Sequence, residues 1–174
     1  MPDREPTDIK NLDIYGHEPL VWSRARDEVV ALTPTPRLAF FLGTVRPDGR
    51  PHSAGVGAVW HAGDFYLAMG PDTRKARNLA ASPACTLSVR LDTLDLVLEG
   101  EAARITDAPT LETLAAVYRG GGWPAEVDGD AFTAPFSAPS AGPPPWYLHR
   151  FTFHTAFGVA TAEPHGATRW RFGS

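Results

Sequence analysis

The sequence predicts a mainly β fold: an antiparallel barrel carrying three short helices. Three observations predict it. Apolar runs of strand length recur from residue 37 to the C-terminus, bounded by Pro, Gly and Asp turn signals. Consecutive runs are joined by short turns, the order of an antiparallel meander. The runs Ala84–Leu91 and Asp95–Ile105 are apolar nearly throughout, as in a sheet covered on both faces or closed on itself.

Residues 1–17 are polar and read as a flexible N-terminal segment, frayed or draped on the surface. Residues 18–174 read as a single barrel domain. Glu18-Pro19 opens a helix, with proline suited to its first position. Trp22, Ala25, Val29 and Leu32 recur on one helical face, and Pro34 and Pro36 end it. Arg37–Val45 is rich in strand formers. Arg46-Pro-Asp-Gly-Arg50 is a tight turn, and Pro51–Trp60 is the return strand. His61-Ala-Gly-Asp64 turns the chain again into a strand over Phe65–Met69.

A short helix follows over Thr73–Ala81, stopped by Pro83. After the two apolar strands, Asp107-Ala-Pro109 starts a helix with Leu111, Leu114, Ala115 and Tyr118 on one face. Gly120-Gly-Gly-Trp-Pro124 breaks it. Residues 122–145 read as a long loop rich in Pro, Ala and Gly, with Trp123, Phe132 and Phe136 along it. A loop of that length in a compact domain calls for a role, here a substrate wall or lid, or else an interface arm. Trp146–Phe157 is a long strand, and Arg169-Trp-Arg-Phe172 closes the chain.

The 174 residues suffice for one domain with a sizeable core, and 43% are hydrophobic. No stretch has the apolar length of a membrane helix, and Met1-Pro-Asp-Arg-Glu-Pro6 lacks the apolar centre of a signal peptide. A single cysteine, Cys85, excludes an internal disulfide framework and reads as a buried thiol in a core strand. These features predict a cytoplasmic protein. A net charge of −4 gives no support for nucleic-acid binding.

Against that acidic balance, Thr73-Arg-Lys-Ala-Arg77 concentrates cations at a helix start. Thr73 can cap the helix, Arg74 and Lys75 supply charge, and first-turn N–H groups face outward, which together suit a phosphate. The competing reading is a solvated basic helix face. A second candidate is the strand His52-Ser-Ala-Gly-Val-Gly57. Small side chains there admit a flat ring against the backbone, with His52 and Ser53 as hydrogen-bonding groups; a tight barrel corner also needs glycine. A third is Thr168-Arg-Trp-Arg-Phe172, either a ring- or anion-binding element or an edge strand with Trp170 and Phe172 packed inward. The six histidines have no metal spacing, and no nucleophile or general base stands out. A bound cofactor carrying the chemistry accounts for that pattern.

Taken in order, these pieces resemble the pyridoxamine 5′-phosphate oxidase-like family, flavin and deazaflavin oxidoreductases built on a split β-barrel. The matching segments are Phe40 to His52, Asp64-Phe-Tyr-Leu67, Asp72 to Leu79 with Ser82-Pro83, Val97 to Ala102, and the terminal Thr-Arg-Trp-Arg-Phe. The resemblance covers about residues 18–173. It implies an FMN-binding type of barrel and a homodimer with the cofactor, FMN or coenzyme F420, at the interface. It implies that Arg74 and Lys75 hold the cofactor phosphate. Ala68 and Met69 would lie near the ring and ribityl chain, and His52, Ser53, Ala54, Gly55 and Val56 would line the ring. Arg169 and Trp170 would reach the site, in the same chain or from the partner.

Two departures matter. The Arg and His pair with which pyridoxal-forming members grip their substrate is missing near the C-terminus. The family's Arg-x-x-x-Leu-Leu-Lys strand is replaced by Ser53-Ala-Gly-Val-Gly-Ala-Val59. True pyridoxamine phosphate oxidase activity is therefore not expected. The resemblance implies hydride transfer between FMN or the deazaflavin and a small organic substrate. The alternatives are a non-catalytic flavin, deazaflavin or heme binding protein, with His52 or His149 as an axial ligand, and a cofactorless dimeric barrel.

Overall fold

A computed structural model describes residues 4–33, 38–138 and 141–173. The segment expected to be flexible contributes a strand: β1 (Asp8–Asn11) forms an outer edge. Helix α1 spans Trp22–Leu32, later than Glu18-Pro19 led us to expect. The reason is tertiary. The N–H of Leu20 donates to Thr168 Oγ1 at 2.8 Å, which holds the approach to the helix against the C-terminal strand. Trp22 then turns inward, its ring centroid 5.4 Å from that of Trp170 and 4.8 Å from that of Phe172. The proposed stop at Pro34 and Pro36, and the strand start at Arg37, lie outside the described residues.

Strand β2 (Phe40–Val45) turns at residues 46–50 into β3 (Pro51–His61). Gly49 takes a φ of +83° there, a conformation its missing side chain permits. Strand β4 (Asp64–Met69) leads into helix α2 (Arg74–Ala81). Strands β5 (Ala84–Arg90) and β6 (Leu94–Ile105) alternate buried and exposed side chains, so they have one inner and one outer face. Helix α3 (Ala108–Gly120) is capped by Asp107, whose side chain accepts from the N–H of Thr110.

Part of the region read as a long loop, residues 126–133, is a packed hairpin. Strands β7 (Glu126–Asp128) and β8 (Ala131–Thr133) pair, and Phe132 bridges to Trp146 through two backbone hydrogen bonds of 2.8 and 2.9 Å. Its proline and glycine content hid three-residue strands too short for a periodicity signal. Strands β9 (Tyr147–Ala160) and β10 (Ala167–Arg171) complete the chain.

Six strands, β9-β4-β3-β2-β5-β6, close into an antiparallel barrel when β6 pairs back onto β9. Strand β9 achieves this by length. On one edge it pairs along β6; on the other it pairs first with β4 and then with β10. Gly100 lies at the irregularity in the β6–β9 register, where a Cβ would collide with the Thr152 carbonyl. Inside the barrel, Leu42, Phe65, Leu67, Met69, Leu87, Leu96 and Phe151 are buried. A second core joins α3 and the hairpin to the barrel wall through Leu111, Leu114, Phe132, Trp146 and Leu148. No described helix is long and apolar enough to cross a membrane.

Candidate functional site

The candidate site forms where α2 meets the first half of β3. The turn before α2 is fixed from below: Gly70 N–H donates to the Ala141 carbonyl at 2.9 Å, and a Cβ at Gly70 would strike that carbonyl. Residues 141–146, after the hairpin, thus brace this turn, with Trp146 Nε1 donating to Gly142 O at 3.0 Å. Thr73 caps α2 as its residue type predicts. Its Oγ1 accepts from Ala76 N at 3.3 Å and donates to Gly70 O at 2.8 Å.

Two side chains clip α2 onto the barrel. Lys75 is only 4% exposed, and its Nζ donates to the Gly55 carbonyl on β3 at 3.2 Å. Asn78, fully buried, donates from Nδ2 to Thr44 Oγ1 on β2 at 3.0 Å. Burial holds the Lys75 ammonium below the usual lysine range. Arg74 stays exposed at the helix start.

His52 lies at the centre of the charge. Burial lowers its pKa, and the cations of Arg46, Arg74 and Lys75 lower it further. Its Nδ1 is buried without a hydrogen-bond partner among the described residues. Arg46 and Arg74 form no ion pair among the described residues, whereas Arg50, Arg90 and Arg104 each meet an aspartate. Arg46 and Arg74 thus place positive charge beside His52 that no ion pair among the described residues meets. The sequence reading used Arg46 only as a turn residue; its role shows only once the turn folds back beside α2.

Beside the cations, the outer surface of β3 is bare. Ser53, Gly55 and Gly57 point outward and are exposed, while Val56 is buried in the barrel. A Cβ at Gly55 or Gly57 would meet nothing within 4 Å. These glycines are thus not required by crowding at a barrel corner within the chain. On the adjacent strand, Phe41 pairs with Gly55 and is 50% exposed. The outer faces of β2, β3, β5 and β6 form one open surface that includes Phe41, Val45 and Val97.

The remaining expected residues are placed differently. Met69 points into the barrel core and Ala68 into the second core, so each offers the site only backbone. Trp170 is fully buried against Trp22, and Arg169 pairs with Asp8 at 2.9 Å. Strands β9 and β4 separate β10 from β3 in the sheet. Within one chain, Arg169 and Trp170 are an edge-strand pair and a core residue, and they are not brought to the site. His149 is buried away from Arg74 and Lys75, beneath the other flank of α2. Among the described residues, no three His, Cys, Asp or Glu side chains gather as a metal site.

A model of the pyridoxamine 5′-phosphate oxidase family matches residues 25–138. No curated protein matches the chain by sequence. Among solved structures, a pyridoxamine 5′-phosphate oxidase-related, FMN binding protein from Nostoc punctiforme superposes with a TM-score of 0.57 at 15% identity, over 86% of this chain and 90% of that one. General Stress Protein 26 from Bacillus anthracis gives 0.52 at 16% identity, over 78% and 94%. A protein described as an F420 reductase gives 0.50 at 22% identity, over 72% and 93%. At these identities the superpositions establish a common barrel fold.

Proposed function

Because this chain belongs to the pyridoxamine 5′-phosphate oxidase family, we propose that it is an oxidoreductase. It transfers a hydride between FMN or coenzyme F420 and a small organic substrate. One observation carries the reading: the cations of Arg46, Arg74 and Lys75 gather around His52, where the start of α2 adjoins a bare backbone floor at Gly55 and Gly57. A phosphorylated, planar cofactor has that shape and charge, a charged tail beside a flat ring.

The chain's residues fit such a group. Arg74, Lys75 and the first turn of α2 bind the phosphate, which helix N–H groups and cations both favour. Thr73 keeps that turn in place. Ser53, Ala54 and the two glycines let the ring approach the strand. Burial and the three neighbouring cations favour the neutral form of His52, so it adds little charge beside the cofactor. The cofactor supplies the hydride chemistry when bound, and the protein binds, orients and excludes water.

The exposed apolar surface around Phe41, Val45 and Val97 supports a homodimer with the ring between subunits, where Arg169 of a second copy can approach. A cytoplasmic location is consistent with the lone buried thiol Cys85. Fluorescence titration of the purified protein with FMN and with F420 tests the reading. Micromolar binding of one, followed by its reduction and reoxidation by a small acceptor, supports an enzyme. Binding without turnover favours a carrier, and binding of neither rejects the site.

A further inference from the structure

The fold brings together two histidines that lie far apart in the sequence. His17 stands in the segment between β1 and α1, and His165 in the turn between β9 and β10. Their ring centres are 6.0 Å apart. Both are accessible, with 41% and 44% of the side chain open to solvent. Strands β9 and β4 separate β10 from the proposed ring floor on β3, so these rings belong to a different part of the molecule.

A carboxylate holds each imidazole. Asp13 Oδ1 lies 3.0 Å from His17 Nδ1, and Glu163 Oε1 lies 3.3 Å from His165 Nε2. An ionised carboxylate only accepts, so the facing nitrogen of each ring carries the proton. The neutral rings then keep a bare lone pair at His17 Nε2 and at His165 Nδ1. A carboxylate behind the ring is the arrangement that orients metal-ligating histidines. The His17 turn is built around it. Asp13 Oδ2 accepts from the N–H groups of Tyr15 and His17, both at 2.8 Å, and Asn11 Nδ2 donates to His17 O at 2.9 Å. The hydrogen bonds from His17, above all, hold the Asp13 carboxyl down to about 2. Ile14 and Tyr15 of the same turn are 84% and 81% exposed, so polar bonds rather than apolar packing fix it. On the other side, Arg24 fixes the His165 turn by donating to the carbonyls of Ala162 and Pro164 at 3.0 and 2.6 Å.

We propose that His17 Nε2 and His165 Nδ1 bind one divalent transition-metal ion of the zinc class. Imidazole suits zinc, nickel and copper rather than magnesium or calcium. A ring nitrogen lies about 1.1 Å from its ring centre and about 2.1 Å from a bound zinc, so two rings on one ion have centres no more than about 6.4 Å apart, and about 5.2 Å apart at the tetrahedral angle. The separation of 6.0 Å falls between these values. Among the described residues no third His, Cys, Asp or Glu completes the set, so water fills the remaining positions and the ion is exchangeable. Binding only the folded chain, the ion ties the segment after β1 to the β9–β10 turn and adds stability.

The test uses the purified full-length protein, stripped of metal by a chelator and titrated with zinc chloride. Calorimetry and NMR of the imidazole signals are read together. One ion per chain with a micromolar dissociation constant is expected, with the His17 and His165 resonances moving and those of His52 and His149 unmoved. Nickel should compete and magnesium should not. His17→Ala and His165→Ala, both exposed changes, should each weaken zinc about tenfold or more. Asp13→Asn and Glu163→Gln, which remove the carboxylates behind the rings, should also each weaken it by about tenfold or more. Zinc should raise the midpoint of thermal unfolding of the parent and leave that of the His17→Ala/His165→Ala double variant unchanged. Absence of saturable zinc binding, unchanged affinity in either histidine variant, one ion per two chains, or equal competition by magnesium would each overturn the proposal.

Discussion

The ammonium of Lys75 donates to the carbonyl of Gly55 at 3.2 Å, tying the start of α2 to the strand whose outer face is bare. One contact thus sets the distance between the proposed phosphate cradle and the proposed ring floor. The cation is held almost out of solvent, so its position is not averaged over many rotamers.

Removing the cradle should weaken cofactor binding and leave the fold standing. Charge-assisted contacts are worth about 1.5–3 kcal/mol each. Arg74→Ala should cost one such contact. Lys75→Met, which keeps the buried stem, should cost a comparable amount. Fluorescence titration against FMN and F420 gives the loss, and unchanged affinity in the double variant rules out this phosphate site.

Filling the floor should separate stability from binding. Gly55→Val adds a strand-forming side chain where nothing lies within 4 Å. Relieving the entropic cost of glycine in a strand is worth about 0.5–1 kcal/mol, so thermal stability should hold or rise. Cofactor affinity should collapse, because the branched side chain occupies the ring's place. A variant that binds normally would show that the ring lies elsewhere.

Trp170→Ala should behave as a core mutation, with a loss of about 3–5 kcal/mol in denaturant unfolding. Arg169→Ala removes an ion pair that is part-exposed on both sides, and should cost less than about 1 kcal/mol. If Arg169 also reaches a second subunit's cofactor, its loss appears in affinity rather than stability.

Stability should fall in acid through His149. Its pKa, about 4 in the fold against an ordinary 6.5, is depressed. The contribution is therefore fully present above about pH 6.5 and is lost as pH falls through 4, because only the unfolded chain takes up the proton readily. The slope is about 1.4 kcal/mol per pH unit for one group. Burial is the main cause of the lowered pKa, the Tyr147 backbone acts against it, and the charge of Arg104 adds to it. A His149→Gln variant should flatten this part of the stability profile measured by urea unfolding.

Burial pushes the Cys85 thiol up to about 12. The native protein should resist thiol reagents at neutral pH and label at Cys85 only after unfolding, since the thiolate is the reactive form.

The sequence by itself determined the barrel strands, the helix at Thr73, its cap and the cation cluster. Those are local matters: strand propensity, turn residues and a hydroxyl three positions before an N–H. It also marked Gly55 and Gly57 as unusual without saying why. Only the tertiary structure showed that open space lies over both. Tertiary contacts also decided what residues 8–11, 126–133 and Trp170 do. Residues 8–11 are exposed and mostly polar, and they form a strand because β10 offers a free edge. Three-residue strands carry no periodicity, so β7 and β8 depend on α3 and Trp146 for their place. Trp170 between two arginines resembles a ligand-binding element until pairing with β9 turns its ring into the core. Arg46 and His52 reach α2 only through the β2–β3 register, because contacts between residues some thirty positions apart are set by packing rather than by local spacing.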